Sequence, residues 1–328
     1  MNHSPIYITS ATQISMQQPL SETWLANAAG SSEPYVCSSE PYVRSIEPDF
    51  RQWLSPMASR RMGRLMKRTL VAALKVMADA GVTCPDAIIT GTGLGCIENT
   101  ELLLDQLTAG EEETLKPTWF MQSTHNTLSS LIAIHTLCHG YNTTYSHRSQ
   151  SFDAALLDAV TQLRLGDITN ALVVGTDEMT PTTFTILRRT GMVGQPGQVP
   201  ATEATVAMLL TTEATDALCQ VESLQMTASL PGGQQPDQLL SGEQQPDLLV
   251  MGHNGLPQND AFYDAVAALF TGVPRFDYKR LFGEGFSAPA LGLYAAVHLL
   301  RHGRARRILF VNRGDGPNHT FITLSSVS

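Results

Sequence analysis

Apolar and polar positions recur along this chain with two different spacings, and each spacing predicts an element. Short continuous apolar runs, such as residues 171–174 and 308–311, are typical of buried parallel strands. Between them lie segments with an apolar residue every three or four positions, as in the helix predicted over residues 59–81. Strands and helices alternate from about residue 57 onward, which predicts an α/β fold of sheets covered by helices.

The individual elements follow from the same pattern, with turn residues between them. The predicted strands cover residues 5–14, 86–93, 142–146, 170–178, 204–212, 219–226, 246–255 and 306–314. The predicted helices cover residues 59–81, 97–110, 123–140, 153–167, 260–272 and 288–303. Residues 17–58 have no clear period and are predicted to be irregular.

Composition excludes several classes of function. The 328 residues are 43% hydrophobic and carry a formal charge of −9, which argues against nucleic acid as the main partner because phosphate binding needs a basic surface. No apolar run reaches the roughly 20 residues of a membrane span, and no signal peptide is evident. The five cysteines contain no CxxC pair, so reduced thiols in a cytoplasmic protein are expected rather than disulfides or a zinc site.

Two short tandem duplications interrupt the pattern. The first begins with Ser31–Cys37 and repeats at once as SSEPYVR, and the second lies between Gly232 and Leu249. Polar doublings of this kind are expected to be expanded surface loops, and we assign them no function.

Four features invite a functional interpretation that the residues support weakly. GTGLGC at Gly91–Cys96 lacks the third glycine and the downstream acidic residue of a dinucleotide site, so a tight strand-to-helix turn is expected. Arg313–Asp315 spells RGD by chance at a strand end.

Asp177–Met179 either caps a loop or faces a cavity. His298 and His302 share one helix face, but no third ligand is evident, so surface or helix-end positions are expected and no metal is predicted.

Several segments in order resemble the β-ketoacyl synthases of the thiolase superfamily. The first half carries IITGTGLG, a helix with STHN, the strand before TYSHRSQSF, and LVVGTDE; the second carries LLVMGHNGLPQND, YKRLFGEGFSAPALG and ILFVNRGDG. The resemblance covers nearly all of the chain from residue 57. RRMGRLMKR and STHN also resemble a divergent subgroup of short synthase-like proteins, found with aryl-polyene and flexirubin pigment clusters, that includes partners of the chain-length-factor type.

The resemblance assigns the family's catalytic positions one at a time. Ser146, Ser151 and Gly166 match family positions without a gap and place the catalytic cysteine position at Ser149. A slip of one residue would place Gln150 there instead, like the glutamine of chain-length factors, but would break those matches. His253 matches the first catalytic histidine although its loop is one residue short, Lys279 matches the lysine, and Glu284 replaces the second histidine.

These replacements oppose the family's condensation chemistry. A condensing enzyme needs a thiolate at a helix N-terminus and two histidines that stabilise an enolate. Serine needs a base within about 3 Å to act as a nucleophile, and His253 could supply it in the family's geometry. Glu284 would place negative charge where the enolate forms. His125, His147 and Arg148 are expected near the same pocket, either satisfying buried backbone or a subunit contact, or binding a carrier-linked acyl chain.

Two basic groups are candidates for binding an acidic carrier protein or a partner. The first comprises Arg60, Arg61, Arg64, Lys67 and Arg68, and the second comprises Arg301, Arg304, Arg306 and Arg307. The alternatives are a solvated helix face for the first group and a helix C-terminus complementing its dipole for the second.

The resemblance implies a thiolase-like αβαβα unit built from two related halves, residues 1–215 and 216–328, whose short length implies missing capping loops. It implies a subunit that supports or limits acyl-chain elongation on acyl carrier protein, the alternative being an acyltransferase or condensing enzyme with Ser149 as nucleophile. No cofactor is expected beyond the carrier's phosphopantetheine arm. The expected partners are acyl carrier protein and a second subunit, either in a homodimer or in a heterodimer with a cysteine-containing ketosynthase, since the STHN segment and the strand before Ser146 lie at the family's dimer interface.

Overall fold

A computed structural model of the chain describes residues 4–23, 25, 42–110, 115–228, 240, 244–314, 316 and 318–327. Most of both duplicated segments lies outside the described residues. No described helix is long and apolar enough to cross a bilayer.

Ten strands are hydrogen-bonded side by side in the order β10-β9-β11-β12-β8-β1-β7-β5-β3-β4. Their bounds are β1 (Ile6–Ile14), β3 (Ala87–Gly91), β4 (Tyr141–Tyr145), β5 (Asn170–Asp177), β7 (Ala204–Thr211), β8 (Cys219–Ala228), β9 (Leu248–Met251), β10 (Arg275–Asp277), β11 (Arg307–Arg313) and β12 (Asn318–Ser325). A separate parallel pair joins β2 (Tyr42–Val43) to β6 (Ala201–Thr202).

The helices of the described residues connect these strands and cover them. They are α1 (Pro56–Ser59), α2 (Arg64–Asp79), α3 (Ile97–Thr108), α4 (Pro117–Gln122), α5 (Thr127–Thr136), α6 (Ser151–Leu165), α7 (Pro181–Arg189), α8 (Pro257–Ala268), α9 (Tyr278–Phe282) and α10 (Ala288–Arg301). The helix predicted from residue 59 therefore begins only at Arg64, because the chain is extended at Gly63, which precedes the first turn.

The ten strands form two sets of five with the same order and directions. In the first set β1 and β7 are antiparallel, β7 and β5 are antiparallel, and β5, β3 and β4 are parallel. The second set repeats this with β8, β12, β11, β9 and β10 in the same places. Three residue pairs between β1 and β8 join the two sets, and a boundary near residue 215 falls between β7 and β8.

Successive residues of a strand face opposite sides of the sheet, so each five-stranded set can pack against helices on both faces. In β3, Ile89 packs into a central cluster with α6 and α10, whereas Ile88 packs on the outer side against α2 and α5. In β11, Phe310 faces the central cluster and Leu309 faces the outer cluster with α8. The result is the five-layered α/β/α/β/α arrangement that the sequence predicts, with α6 and α10 at its centre.

Candidate functional site

A cavity of about 710 Å³ opens where both sets of parallel strands end. Its wall includes residues that follow β3, β4, β9, β10 and β11, and the last turn of α7 with the loop after it. Ligands of open α/β sheets bind at the carboxyl ends of parallel strands, where loops rather than the sheet supply the side chains. The polar side chains of the wall are Arg148, Ser149, Thr190, Asn254, Gln258, Asn259, Lys279, Glu284 and Arg313.

The loop after β3 is held in the cavity wall by Asp177 at the end of β5. The backbone N–H groups of Gly93 and Leu94 donate to its Oδ1 at 2.8 and 3.1 Å, and Ser287 donates to Oδ2 at 2.7 Å. Burial raises the pKa of Asp177 to about 6. GTGLGC is thus a strand-to-helix turn tied to the start of α10, and Asp177 caps a loop.

A tight elbow joins β4 to α6 and places Ser149 in the cavity wall. Arg148 has φ 50° and begins a 3₁₀ turn that ends at Gln150. Ser151 fastens the elbow, because its Oγ accepts a hydrogen bond from the His147 N–H at 2.8 Å and donates to the Arg148 carbonyl at 2.7 Å. Ser149 is 9% exposed. Gln150 is buried against Gly314 rather than lining the cavity.

The second half contributes an ion pair between Lys279 and Glu284. Lys279 Nζ donates to Glu284 Oε2 at 2.9 Å, and Asn254 Nδ2 donates to the same oxygen at 2.7 Å. The side chains of Lys279 and Glu284 are 6% and 12% exposed. The negative charge of Glu284 is therefore balanced by a neighbouring cation and shared with an amide donor.

His253, one residue before Asn254, lies outside this cavity wall. Its Nδ1 is 2.6 Å from Asp277 Oδ1, and its Nε2 is 3.4 Å from Asp264 Oδ1. The ring packs on Tyr263 with centroids 5.0 Å apart. Both ring nitrogens face carboxylates on the side of β10 and α8. His253 is therefore not among the described residues of the cavity wall, and its assignment as the base for Ser149 stays a prediction.

A family model described as "Beta-ketoacyl synthase, N-terminal domain" matches residues 10–259. The chain belongs to the β-ketoacyl synthase family. A search of curated proteins found no match.

Solved structures of similar fold cover almost all of this β-ketoacyl synthase family member. A structure titled "The ishigamide ketosynthase/chain length factor" is 19% identical with a TM-score of 0.79, covering 99% of this chain and 100% of that one. The ketosynthase ApeO in complex with its chain length factor ApeC from Xenorhabdus doucetiae is 14% identical with a TM-score of 0.74, covering 99% and 98%. At these identities the likeness establishes the fold, and the missing capping loops stay a prediction.

Among the described residues that line the cavity there is no cysteine and no histidine. Cys96, at the start of α3, is 1% exposed, and burial raises its pKa to about 12, so it carries no thiolate at neutral pH. The described cavity wall offers hydroxyl groups at Ser149 and Thr190, the guanidinium groups of Arg148 and Arg313, and the Lys279–Glu284 pair.

The structure brings together only some of the predicted site residues. Ser149, Arg148, Lys279 and Glu284 line one cavity. His147 and His125 are exposed and do not line it, and His125 lies against Gly95 in the loop after β3. The two histidines therefore lie beside cavity loops but outside the described cavity wall, and their role in binding stays a prediction.

The first basic group is divided by burial. Arg68 is fully buried, with its Nη1 2.8 Å from Glu203 Oε1, and Arg64 lies 3.4 Å from the other oxygen of Glu203. Arg68 cannot dock a carrier, and this corrects its assignment. Arg60 and Arg61 are exposed. In the second group, Arg301 and Arg307 are paired with Glu22 and Glu222.

Sequence reasoning missed Asn254 and Arg313 as cavity residues. Asn254 lies beside the assigned histidine in a loop that is one residue shorter than the family's, and that shortening was the available signal. Arg313 lines the cavity through the RGD segment, where its Nη1 donates to the Gln258 carbonyl at 2.7 Å. Arg313 and Gly314 are therefore cavity residues, whereas Asp315 lies outside the described residues.

His298 and His302 lie at a helix end, which is one of the two predicted positions: His298 is in the last turn of α10 and His302 is its C-cap. His298 is 2% exposed and contacts Glu22, so it is not a surface residue.

Proposed function

We propose that this chain is a non-condensing ketosynthase subunit that supports or limits acyl-chain elongation on acyl carrier protein in polyketide- or fatty-acid-type biosynthesis. The observation that carries the proposal is a cavity in the family's position whose described lining residues include neither thiol nor imidazole. Without these groups a protein cannot hold an acyl thioester and stabilise the enolate of a condensation. It can still shape the space into which a chain grows.

The cavity has the features of a binding site for an acyl group on a phosphorylated arm. Ile186, Leu187, Met192 and Phe286 supply apolar wall, and Arg148 and Arg313 supply positive charge. A phosphopantetheine arm carries a phosphate that arginine side chains bind well. We therefore infer that the phosphopantetheine arm of acyl carrier protein presents the acyl chain to this cavity, with no further cofactor. We also propose, from the family resemblance, that the pathway is of the aryl-polyene type and that the protein is cytoplasmic.

One edge of the fold supports a partner subunit. Of the described strands, only β3 pairs with β4, so the other side of β4 is open. The neighbouring helices α4 and α5 expose Phe120, Met121 and Ile134 by 66%, 71% and 74%, and Leu137 follows at 75%. An open strand edge beside exposed apolar side chains marks an interaction surface.

The occupant we infer is a cysteine-containing ketosynthase of the same fold, because this chain lacks the groups that such a partner would supply. The solved structure of ApeO with ApeC pairs a ketosynthase with its chain length factor, which supports a heterodimer. A homodimer would leave both cavities without a thiol.

Co-expression tests this arrangement. The chain is produced with candidate ketosynthases from its own genome, and the expected result is a stable 1:1 complex on size-exclusion chromatography. Ile134→Asp, which places charge beside β4, should dissociate it. Leu269→Asp, at a residue 44% exposed beyond α8 in the second half, should leave it intact. A complex that withstands Ile134→Asp, or a chain that forms only a homodimer, would contradict the proposed partner surface.

A serine acyltransferase is the alternative, and Ser149 in the cavity wall is the observation that favours it. The observation against it is that His253, the predicted base, is not among the described lining residues of the cavity. Covalent acylation of Ser149 in the isolated protein would establish this alternative and exclude a purely supporting role.

A further inference from the structure

A second cluster of polar groups lies far along the central helix from the elbow, where α10 ends. His298 and His302 are four residues apart, so one helix face carries both imidazoles. Glu22, which follows β1, brings its carboxylate to the same place: Oε2 contacts His298 Nδ1 and lies 3.9 Å from His302 Nε2. All three ligand atoms lie within 4.8 Å of one another.

His298 is the most deeply buried side chain of this cluster. His298 is 2% exposed, and within the described residues neither of its ring nitrogens has a hydrogen bond of normal geometry. Buried polar groups are almost always hydrogen-bonded, so an imidazole in this state calls for an explanation. A ligand between His298, His302 and Glu22 would satisfy it.

We propose that Glu22, His298 and His302 form a binding site for a divalent cation of the zinc class. Imidazole nitrogens and a carboxylate oxygen are ligands that Zn²⁺ binds at about 2.0–2.2 Å. Two ligands at those bond lengths in a tetrahedral site lie about 3.4 Å apart, and the distance from Glu22 Oε2 to His302 Nε2 is 3.9 Å. The contact between His298 Nδ1 and Glu22 Oε2 is shorter than that spacing, so the Glu22 carboxylate must swing away from His298 for a cation to enter between them.

The surroundings fit such a site. Arg301 Nη1 is 3.0 Å from Glu22 Oε1, so it orients the carboxylate through the oxygen that the cation does not need, as outer partners of metal ligands commonly do. Glu22 and His298 also line a cavity of about 460 Å³, which leaves room for a water molecule as fourth ligand.

The cation would fasten one segment of the chain to the centre of the molecule. Leu25, whose N–H donates to the Glu22 carbonyl at 2.9 Å, is fully buried in the central cluster with α10. A cation bound by Glu22 and by the end of α10 would link the segment that contains Leu25 to the helix against which Leu25 packs. The site is structural in character and lies apart from the cavity that contains Ser149.

Metal titration tests the site with the tag-free, full-length protein after removal of bound metal by a chelator. Zn²⁺ is titrated in competition with a chromogenic chelator, and one equivalent is expected to bind with a Kd of micromolar or tighter. His302→Ala removes a ligand whose side chain is 32% exposed, so the fold should persist while affinity falls at least about tenfold. Glu22→Gln should weaken binding in the same way. His135→Ala, an exposed histidine in the last turn of α5, is the matched control and should bind as the parent does.

Two further readouts keep the result specific. X-ray absorption at the zinc edge should show two imidazole nitrogens and oxygen at about 2.0–2.2 Å, and Zn²⁺ should raise the Tm of the parent but not of His302→Ala. The proposal is overturned by the absence of a bound equivalent at 100 μM Zn²⁺, by equal affinity of the parent and His302→Ala, or by sulfur ligands at about 2.3 Å.

Discussion

Ser149 lies where the chain turns from β4 into α6, and its neighbours decide what it can do. The elbow is fastened by Ser151, and the cavity beyond it holds Lys279 and Glu284. A hydroxyl needs a base to become a nucleophile, and the Glu284 carboxylate is already bonded to Lys279 and Asn254. Ser149 therefore has the position of a nucleophile, and the proposed supporting role requires that it is not activated as one.

The ion pair in the cavity wall is expected to matter for stability. Lys279→Met leaves the largely buried Glu284 without its cation and should lower the free energy of unfolding by about 3–5 kcal/mol. Urea denaturation of the parent and the variant measures this loss in the free energy of unfolding. The double variant Lys279→Met/Glu284→Leu should lose less than Lys279→Met alone, because it leaves no unpaired charge. A loss below about 1 kcal/mol in the single variant would mean that the pair is solvated and not part of a dry wall.

At the level of single residues, sequence reasoning reached Ser149, Lys279 and Glu284 as cavity positions. The positions around Ser149 match the family without gaps, and the spacing of Lys279 and Glu284 matches the family's lysine and second histidine, so they could be assigned. The ion pair between Lys279 and Glu284 was not predicted, because the sequence does not show that the two side chains meet. The loop at residues 252–257 is one residue short, and the sequence alone could not say that Asn254 lies in the described cavity wall.

At the scale of elements, the start of α6 rests directly on β3. A Cβ at Gly91 would lie 2.4 Å from the backbone carbonyl carbon and oxygen of Ser151. Neither atom can move without displacing the helix. The glycine at the end of β3 therefore sets the position of the elbow and of Ser149.

Gly91→Ala should consequently be strongly destabilising. The added methyl group meets rigid backbone, so we expect a loss of about 3 kcal/mol or more in the free energy of unfolding. Gly63→Ala is the matched control, because a Cβ there would lie at an ordinary 3.6 Å from Asn99 Nδ2, and its cost should stay near 1 kcal/mol. Equal losses in the two variants, measured by chemical denaturation, would contradict the close packing of β3 against α6.

The N-terminus of α3 carries a pH-dependent contact. Glu178 Oε1 accepts a hydrogen bond from the Glu98 N–H at 3.0 Å, and burial raises the pKa of Glu178 from 4.5 to about 7. The folded state thus binds this proton more tightly than the unfolded chain does. The stability that this bound proton contributes is complete below pH 4.5 and is lost as the pH rises through 7.

Glu178→Gln keeps the acceptor oxygen and removes the titration. From pH 5 to pH 8 the parent should lose about 3 kcal/mol more stability than the variant does, at about 1.4 kcal/mol per pKa unit. Denaturant midpoints at the two pH values measure the difference. Glu213→Gln, at an exposed glutamate, is the control and should retain the parent's pH dependence. If Glu178→Gln also retained the parent's pH dependence, the Glu178 carboxyl would not titrate in the folded protein over this range.

Most elements could be predicted because their apolar period was clear, as in β5 and α10. The short β10 and the strand β12 were missed. β10 has three residues and is defined by its pairing with β9, which no local pattern reveals. In β12, two partly buried residues are followed by five buried ones and a last partly buried one. No alternating pattern marks this strand, and its pairing with β11 and β8 defines it.

At the scale of the whole molecule, the repeated strand order explains where the cavity lies. Each five-stranded set ends its parallel strands at the same place, so loops of the two halves meet around one space. The layered α/β fold could be predicted from alternating elements and from the family resemblance. The open edge at β4 and the buried end of α10 depend on which surfaces remain uncovered after packing, which the sequence does not encode locally.

The molecule as a whole is expected to work as the non-acylated member of a pair. Intact-mass spectrometry after incubation with acyl- and malonyl-carrier protein, with and without the partner ketosynthase, tests this most directly. The account predicts that this chain keeps its unmodified mass while the partner's cysteine gains the acyl group. An acyl adduct on the isolated chain that disappears in Ser149→Ala would contradict it and make Ser149 a nucleophile.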